Sequence, residues 1–337
     1  MGFDLDLPFL WAMLIAFAVF AYVVLDGFDL GIGILFPLFR ERGDRDLMMN
    51  SIAPVWDGNE TWLVLGGAGL MAAFPLAYAV VLPALYMPVT LMLLALVFRG
   101  VAFEFRFKAS DNSRWVWDLA FFAGSLVATL CQGIALGAFV QGIAIDGRSY
   151  GGGWFDWLTP FSILTGFSLI AGYALLGACW LIMKTEGPLQ ERSYRLAGLI
   201  AVVVLGFVVA VSIATAFLDP EIAQRWFSWP NLVLLSPVPI LVAALALGLW
   251  RALRKRAETT PFLLVLALFA LSYLGLGISL YPFVVPRSVT IWQAASPDST
   301  LLFLLVGAVI LIPMIMGYTA YAYWVFRGKV GKSGYHI

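Results

Sequence analysis

The chain has 337 residues, of which 62% are hydrophobic and 12% charged, and its 20 basic and 20 acidic residues balance. Soluble domains are about half apolar and a quarter charged, and a soluble fold of this length could not bury so much apolar surface. The composition excludes a soluble enzyme and a disordered chain, and the neutral balance gives no electrostatic basis for binding nucleic acid. It predicts an all-α polytopic membrane protein embedded in lipid.

Nine apolar runs, each near the ~20 residues that a helix needs to cross a bilayer, predict nine transmembrane helices. The acidic start of the chain, with Asp4 and Asp6, is unlike a signal peptide, so we expect the first run to be retained as a helix. The connections are short, and none could hold a soluble domain. The runs cover residues 8–36, 52–74, 78–106, 115–143, 160–184, 193–218, 230–251, 261–283 and 301–326.

A weak internal repeat suggests how the helices are grouped. Residues 25–30 (LDGFDL) resemble residues 170–175 (IAGYAL), although chance matching of Gly and Leu explains the similarity equally well. If the repeat is real, the chain forms two four-helix bundles plus one extra helix. The expected boundaries are 1–143 for a first bundle with embedded acids, 144–283 for a second bundle, and 284–337 for the ninth helix and tail.

The basic residues predict the orientation, because cytoplasmic loops are enriched in Lys and Arg. One set of connections contains only Arg148, Arg225 and Arg287. We therefore expect the N-terminus outside and the C-terminus in the cytoplasm. The basic residues of the opposite set are Arg40, Arg42, Arg45, Arg106, Lys108, Arg114, Lys184, Arg192, Arg195, Arg251, Arg254, Lys255, Arg256, Arg327, Lys329 and Lys332.

Acidic residues inside the spans are the candidate functional groups. An ionisable group in the hydrocarbon region costs at least ~2.5 kcal/mol, and such residues usually have a function. Asp26 and Asp29 are three residues apart, as are Asp57 and Glu60, so each pair shares a helix face. At least one member of each pair should hold a proton near neutral pH.

The acids also lie towards one side of the membrane. Glu104 and Asp118 are, like the two pairs, near helix ends on the cytoplasmic side, so the pattern predicts a proton-uptake path from the cytoplasm.

Other interpretations of these charges remain open. Asp57 and Glu60 also suit the N-terminus of a helix, where negative charge is favourable. Arg99, the one basic residue inside a span, either pairs with Asp29 or Asp57 or is available to another helix or a cofactor propionate. Glu104 is expected to pair with Lys108, four residues on.

The sequence offers few metal ligands. The single histidine is His336, next to the C-terminus, and Cys131 and Cys179 lie in apolar runs, where a disulfide is not expected. Membrane redox proteins hold haem through His, Met or Cys, so we expect neither a catalytic residue nor a metal or haem site in this chain.

Three segments resemble subunit II of cytochrome bd-type quinol oxidases, with the short chain most similar to the cyanide-insensitive subgroup. The segments are Asp26–Gly33 (DGFDLGIG), Asn50–Trp62 (NSIAPVWDGNETW) and Phe98–Arg106 (FRGVAFEFR). The resemblance is clear over roughly residues 15–110.

The resemblance implies a partner, subunit I, which carries the quinol site and the haems. These are haem b together with either haem d or a further haem b. The complex would lie in the inner membrane of a bacterium, oxidise quinol outside, reduce dioxygen to water, and take protons from the cytoplasm.

The resemblance also implies roles for single residues. Asp57 would belong to the proton path at the subunit interface, with Trp56 beside it. Asp26 and Asp29 would line the core of the first bundle, and Arg99 would face a haem. Some members have Gln where this chain has Glu60. The resemblance leaves open a bound quinone in this subunit and small single-helix accessory subunits.

Two other functions use the same residues. A stand-alone proton-coupled transporter would also need buried acids, but it would more often carry embedded charges in both halves. A purely structural assembly partner would tolerate replacement of the acids by amides.

Overall fold

The computed structural model describes residues 5–218 and 220–331, which form fourteen α-helices and two short antiparallel hairpins. A single 3₁₀ turn, Phe36–Leu38, follows the first helix. The helices are α1 (Leu7–Leu35), α2 (Arg42–Asn50), α3 (Trp56–Ala73), α4 (Pro75–Ala84), α5 (Tyr86–Arg106), α6 (Arg114–Gln141), α7 (Pro160–Lys184), α8 (Gly187–Leu218), α9 (Pro220–Phe227), α10 (Asn231–Leu235), α11 (Pro237–Arg254), α12 (Thr260–Leu280), α13 (Ile291–Ala294) and α14 (Asp298–Val325). The hairpins pair β1 (Ile145–Asp146) with β2 (Ser149–Tyr150), and β3 (Phe283–Val285) with β4 (Val289–Thr290).

Eight helical segments of the described chain are long and apolar enough to cross a membrane, so the chain is a multi-pass, mostly helical membrane protein. The predicted count of nine is not confirmed. The predicted span 52–74 corresponds to α3, which is not among the eight. Its first turns contain Asp57, Asn59 and Glu60, and these polar side chains lower its hydropathy.

The predicted span 78–106 is in fact two helices, α4 and α5, separated at Leu85. Proline explains the break. Pro88 has no N–H to donate to the carbonyl of Ala84, so a continuous helix would lose a hydrogen bond at this point. The helix is re-established when Val89 N donates to Leu85 O at 3.0 Å.

Helix α1 is central and packs against α3, α6, α7, α12 and α14. It approaches α7 so closely that backbone touches backbone: a Cβ on Gly31 would overlap the carbonyl of Tyr173, and a Cβ on Gly177 would lie 2.5 Å from the carbonyl carbon of Gly31. Small residues permit this kind of contact between membrane helices. A Cβ on Gly27 would also lie 2.8 Å from the Tyr173 ring, so the two segments of the weak repeat contact each other.

Ion pairs join the loops that the sequence assigned to the cytoplasmic side. Arg42, the first residue of α2, contacts Asp111 at 3.0 Å, which joins the segment after α1 to the loop after α5. Arg192 in α8 contacts Glu41 and Asp44 at 3.2 and 3.3 Å. These loops share one end of the molecule. Partial burial raises the pKa of Asp44, nearby Glu41 raises it further, and Arg192 opposes both effects.

The opposite end is held by contacts that join α1 and the end of α3 to the segment running from α13 to the start of α14. Trp292 Nε1 donates to Asp6 Oδ2 at 3.0 Å, and Trp11 Nε1 donates to Leu301 O at 3.0 Å. Ser296 N donates to Ala73 O at 2.8 Å, which ties the end of α3 to the same region.

Candidate functional site

A buried ion pair between Arg99 on α5 and Asp26 on α1 is the centre of a polar cluster in the interior of the helical core. The side chains are 0% and 1% exposed. Glu60 on α3 approaches the same guanidinium, with 3.9 Å between Oε2 and Nη1. The guanidinium also lies over the Trp56 ring, 5.5 Å from its centroid. Two carboxylates and an aromatic face thus compensate one buried cation.

Asp29 is fully buried too, but its partner is an amide. Asn59 Nδ2 donates to Asp29 Oδ2 at 2.7 Å and to Leu25 O at 3.3 Å. The Tyr323 hydroxyl on α14 donates to Asn59 Oδ1 at 2.8 Å. Residues three apart on a helix differ by about 60° in direction, so one aspartate meets α5 and the other meets α3.

The cluster continues along α1 through a second set of polar side chains. Tyr22 lies one turn before Asp26 and next to it. Gln132 Nε2 on α6 donates to the Tyr22 hydroxyl at 2.5 Å, and the Tyr173 hydroxyl on α7 donates to Gln132 Oε1 at 2.9 Å. Helices α1, α6 and α7 are thereby joined by hydrogen bonds within their apolar packing.

Several buried atoms of the cluster have hydrogen-bonding capacity left over. Within the described residues, Asp26 Oδ2, Asp29 Oδ1, Arg99 Nε and Arg99 Nη1 have no hydrogen-bond partner. Buried polar atoms are nearly always paired because desolvation without a partner is costly. A buried carboxyl oxygen that has no other hydrogen-bond partner has a lone pair free to bind and release a proton.

The structure brings together three of the four acids predicted for a proton path: Asp26, Asp29 and Glu60. Asp57 does not join them, because it lies exposed in the first turn of α3. Of the alternatives left open for Arg99, pairing with Asp29 or Asp57 is wrong, since its closest partner is Asp26 on helix α1. Trp56 is partly exposed and stacks on Phe103 at 4.8 Å.

The other acids predicted near this end are used in ion pairs. Asp118 bridges two arginines, 2.5 Å from Arg106 and 2.6 Å from Arg45. Arg106 is 1% exposed and also contacts Asp46 at 2.6 Å. Asp118 therefore contacts Arg45 and Arg106 and does not join the cluster around Arg99.

Glu104 also lies outside the cluster around Arg99. It pairs with Lys108 at 3.5 Å, which confirms the predicted i, i+4 contact.

Asn59, Tyr22, Gln132, Tyr173 and Tyr323 belong to the cluster but were not predicted from the sequence. Each is an uncharged polar residue in an apolar helix, which alone is weak evidence for function. Asn59 was the best signal among them, because it lies between Asp57 and Glu60 in a segment already singled out.

Across residues 5–218 and 220–331, no group of three or more His, Cys, Asp or Glu side chains could hold a metal ion. Cys131 and Cys179 are buried free thiols. His336 lies outside the described residues.

The fold and the cluster together define an integral membrane protein that holds ion-paired acids inside its helical core. A family model, "Cytochrome bd terminal oxidase subunit II", matches residues 7–326. The chain belongs to this family and is a subunit of a terminal oxidase, as its sequence motifs predicted.

Curated relatives match over nearly the whole chain. The chain is similar to cytochrome bd-I ubiquinol oxidase subunit 2 of Escherichia coli K12, with 34% identity over 97% of this chain and 96% of the relative. It is also similar to cytochrome bd ubiquinol oxidase subunit 2 of Bacillus subtilis 168, with 32% identity over 96% and 97%. Among solved structures, a chain of the bd oxidase from Geobacillus thermodenitrificans has the same fold, with a TM-score of 0.74, 17% identity, and coverage of 96% and 99%.

Proposed function

We propose that this chain is the non-haem subunit II of a bd-type quinol oxidase and that it conducts protons from the cytoplasm towards a haem-bearing subunit I. Its relatives are named as ubiquinol oxidase subunits, which supports quinol as the substrate of the complex. The haems of subunit I, of b and d type or b type only, would supply electron transfer and oxygen reduction. Quinol oxidation outside and proton uptake inside then generate a proton gradient without a pump.

The observation that carries the proposal is the arrangement around Arg99. A fully buried cation is held by Asp26 and approached by Glu60, with Asp29 on the next face of α1. Burying a charge costs free energy because the ion loses its hydration. A core that served only for packing would be expected to have apolar side chains at these positions. Unused hydrogen-bonding capacity on both aspartates supports proton exchange.

Glu60 and Asp57 are proposed as the entry to this path. The Glu60 side chain is 27% exposed, whereas Asp26 and Asp29 are buried, so Glu60 connects the interior cluster with the surface of the chain. Asp57 is exposed one turn earlier. Its position suits a group that accepts protons from water or from an interface with subunit I.

Trp56 and Arg99 are proposed as the residues nearest a haem of subunit I. Of the two, Trp56 is partly exposed, while Arg99 lies behind it. The chain is proposed to cross the inner membrane of a bacterium with the N-terminus outside and the C-terminus in the cytoplasm. The organisation into bundles 1–143 and 144–283, with residues 284–337 as an addition, is part of the same proposal.

The test is replacement of buried acids in the purified two-subunit complex. Asp29→Asn and Glu60→Gln should reduce quinol oxidation and proton uptake at least about tenfold, while the haem absorption spectrum stays unchanged because assembly survives. The exposed acid Glu104, replaced by Gln, is the matched control and should leave both rates as they are. Normal turnover in assembled Asp29→Asn and Glu60→Gln complexes would overturn the proposal and favour a purely structural subunit.

A further inference from the structure

Tyr323 is the residue through which α14 reaches the buried cluster. Most of α14 is exposed, and Leu301 is its one fully buried residue in the described chain. The Tyr323 ring packs edge-on against Phe28 and Trp180, with centroid distances of 6.4 and 6.2 Å. Its hydroxyl lies 2.8 Å from Asn59 Oδ1.

Hydrogen bonding fixes the direction of the Asn59 amide. Nδ2 faces Asp29 Oδ2 and the carbonyl of Leu25, and a carbonyl can only accept. The NH₂ group must therefore face these two oxygens, which leaves Oδ1 on the other side. There Oδ1 needs a donor, and the Tyr323 hydroxyl is that donor.

The orientation of Asn59 in turn distinguishes the two oxygens of Asp29. Oδ2 already accepts one hydrogen bond, from Asn59. Oδ1 is buried and has no hydrogen-bond partner among the described residues. Protonation of Oδ2 would weaken it as the acceptor for Asn59, so a proton that leaves this hydrogen bond at full strength binds Oδ1.

We infer that Tyr323 is a positioning residue for proton transfer: by holding Asn59, it selects Oδ1 as the exchanging oxygen of Asp29. This inference rests on the proposed proton path. It assigns the C-terminal helix a role at the cluster that its mostly exposed surface does not suggest. The end of α14 is itself fixed, because Lys184 Nζ on α7 donates to Phe326 O at 2.6 Å.

The test uses the intact complex of this chain with subunit I. Tyr323→Phe keeps the ring and removes only the donor. It should lower turnover about three- to tenfold, the size of one hydrogen bond. It should also move the pH profile of turnover and shift the infrared carboxyl band that Asp29→Asn removes. Tyr318→Phe, on an exposed tyrosine of the same helix, should change none of these.

A double-mutant cycle tests whether Tyr323 acts through Asn59. If it does, Asn59→Ala and the double variant Tyr323→Phe/Asn59→Ala should have equal turnover, because the second change removes nothing further. Additive losses would overturn the inference. So would a Tyr323→Phe complex with the pH profile and infrared band of the unmodified chain.

The inference and the proposed function can fail separately. Normal turnover in Asp29→Asn would contradict the proton path itself. Loss of turnover in Asp29→Asn with no effect of Tyr323→Phe would contradict only the role of Tyr323.

Discussion

Arg99 and Asp26 form an ion pair between α5 and α1 in which neither side chain reaches the surface of the chain. Breaking a buried pair by removing one partner leaves an uncompensated charge, which typically costs about 3–5 kcal/mol. The pair therefore links the stability of the helical core to the same acids that are proposed to carry protons.

Arg99→Gln should clearly lower the thermal unfolding midpoint of the complex, because Asp26 loses its cation. The double variant Arg99→Gln/Asp26→Asn should recover part of this loss, since no unpaired charge remains. Lys108→Gln is the control: its pair with Glu104 is 77% and 59% exposed, and such pairs contribute at most about 1 kcal/mol. Equal midpoints for Arg99→Gln and Lys108→Gln would contradict the prediction.

Gly31→Ala should destabilise the contact between α1 and α7. The added Cβ would overlap the Tyr173 carbonyl and lie 3.0 Å from Gly177 N, and backbone cannot move aside cheaply. Overpacking of this kind costs about 1–3 kcal/mol. The unfolding midpoint and the yield of assembled complex measure the effect.

Gly67→Ala is the matched control for Gly31→Ala. Gly67 lies in α3, and a Cβ there would meet no atom within 4 Å. Alanine favours a helix over glycine by up to about 1 kcal/mol, so this variant should be as stable as the parent or slightly more stable. A Gly31→Ala complex as stable as Gly67→Ala would show that the two helices are not in backbone contact.

Asp57→Asn should separate stability from activity. Asp57 is exposed in the first turn of α3, so its replacement should change the free energy of unfolding by no more than about 0.5 kcal/mol. Turnover and proton uptake should fall if protons enter at this residue. Unchanged uptake in a normally assembled complex would remove Asp57 from the path and leave Glu60 as the entry.

Glu258 should make the packing of residues 329–330 against the rest of the chain sensitive to acid, because Glu258 forms an ion pair with Lys329. Hydrogen bonds from Lys329 and Gln190 lower the pKa of Glu258 below its ordinary value of 4.5. A lowered pKa stabilises the folded contact above pH 4.5, and this contribution is lost as the pH falls through the lowered pKa.

Hydrogen exchange can test the attachment at Val330, whose N–H donates to Lys184 O at 2.8 Å. Protection of this amide should decrease on acidification below pH 4.5. In Glu258→Gln it should be weaker at neutral pH and nearly independent of pH across this range. The same acid sensitivity in Glu258→Gln would assign the effect to another group.

Helix positions followed closely from the sequence where long apolar runs were uninterrupted. The predicted span 160–184 coincides with α7, and 115–143 differs from α6 by two residues at most. Helix boundaries were predicted less well where a proline or charged residues adjoin an apolar run. Pro88 divided one span into two helices, and the charged stretch after α1 formed the amphipathic helix α2.

The sequence by itself determined that this is a membrane protein of many helices, with acids concentrated in its first spans, because lipid tolerates few charges and those present stand out. Only the tertiary structure decided that Arg99 meets Asp26, that Asn59 and Tyr323 hold Asp29, and that Asp57 stays outside. These contacts join residues up to 264 positions apart. They depend on how helices rotate and cross, which hydropathy and spacing along a single helix do not specify.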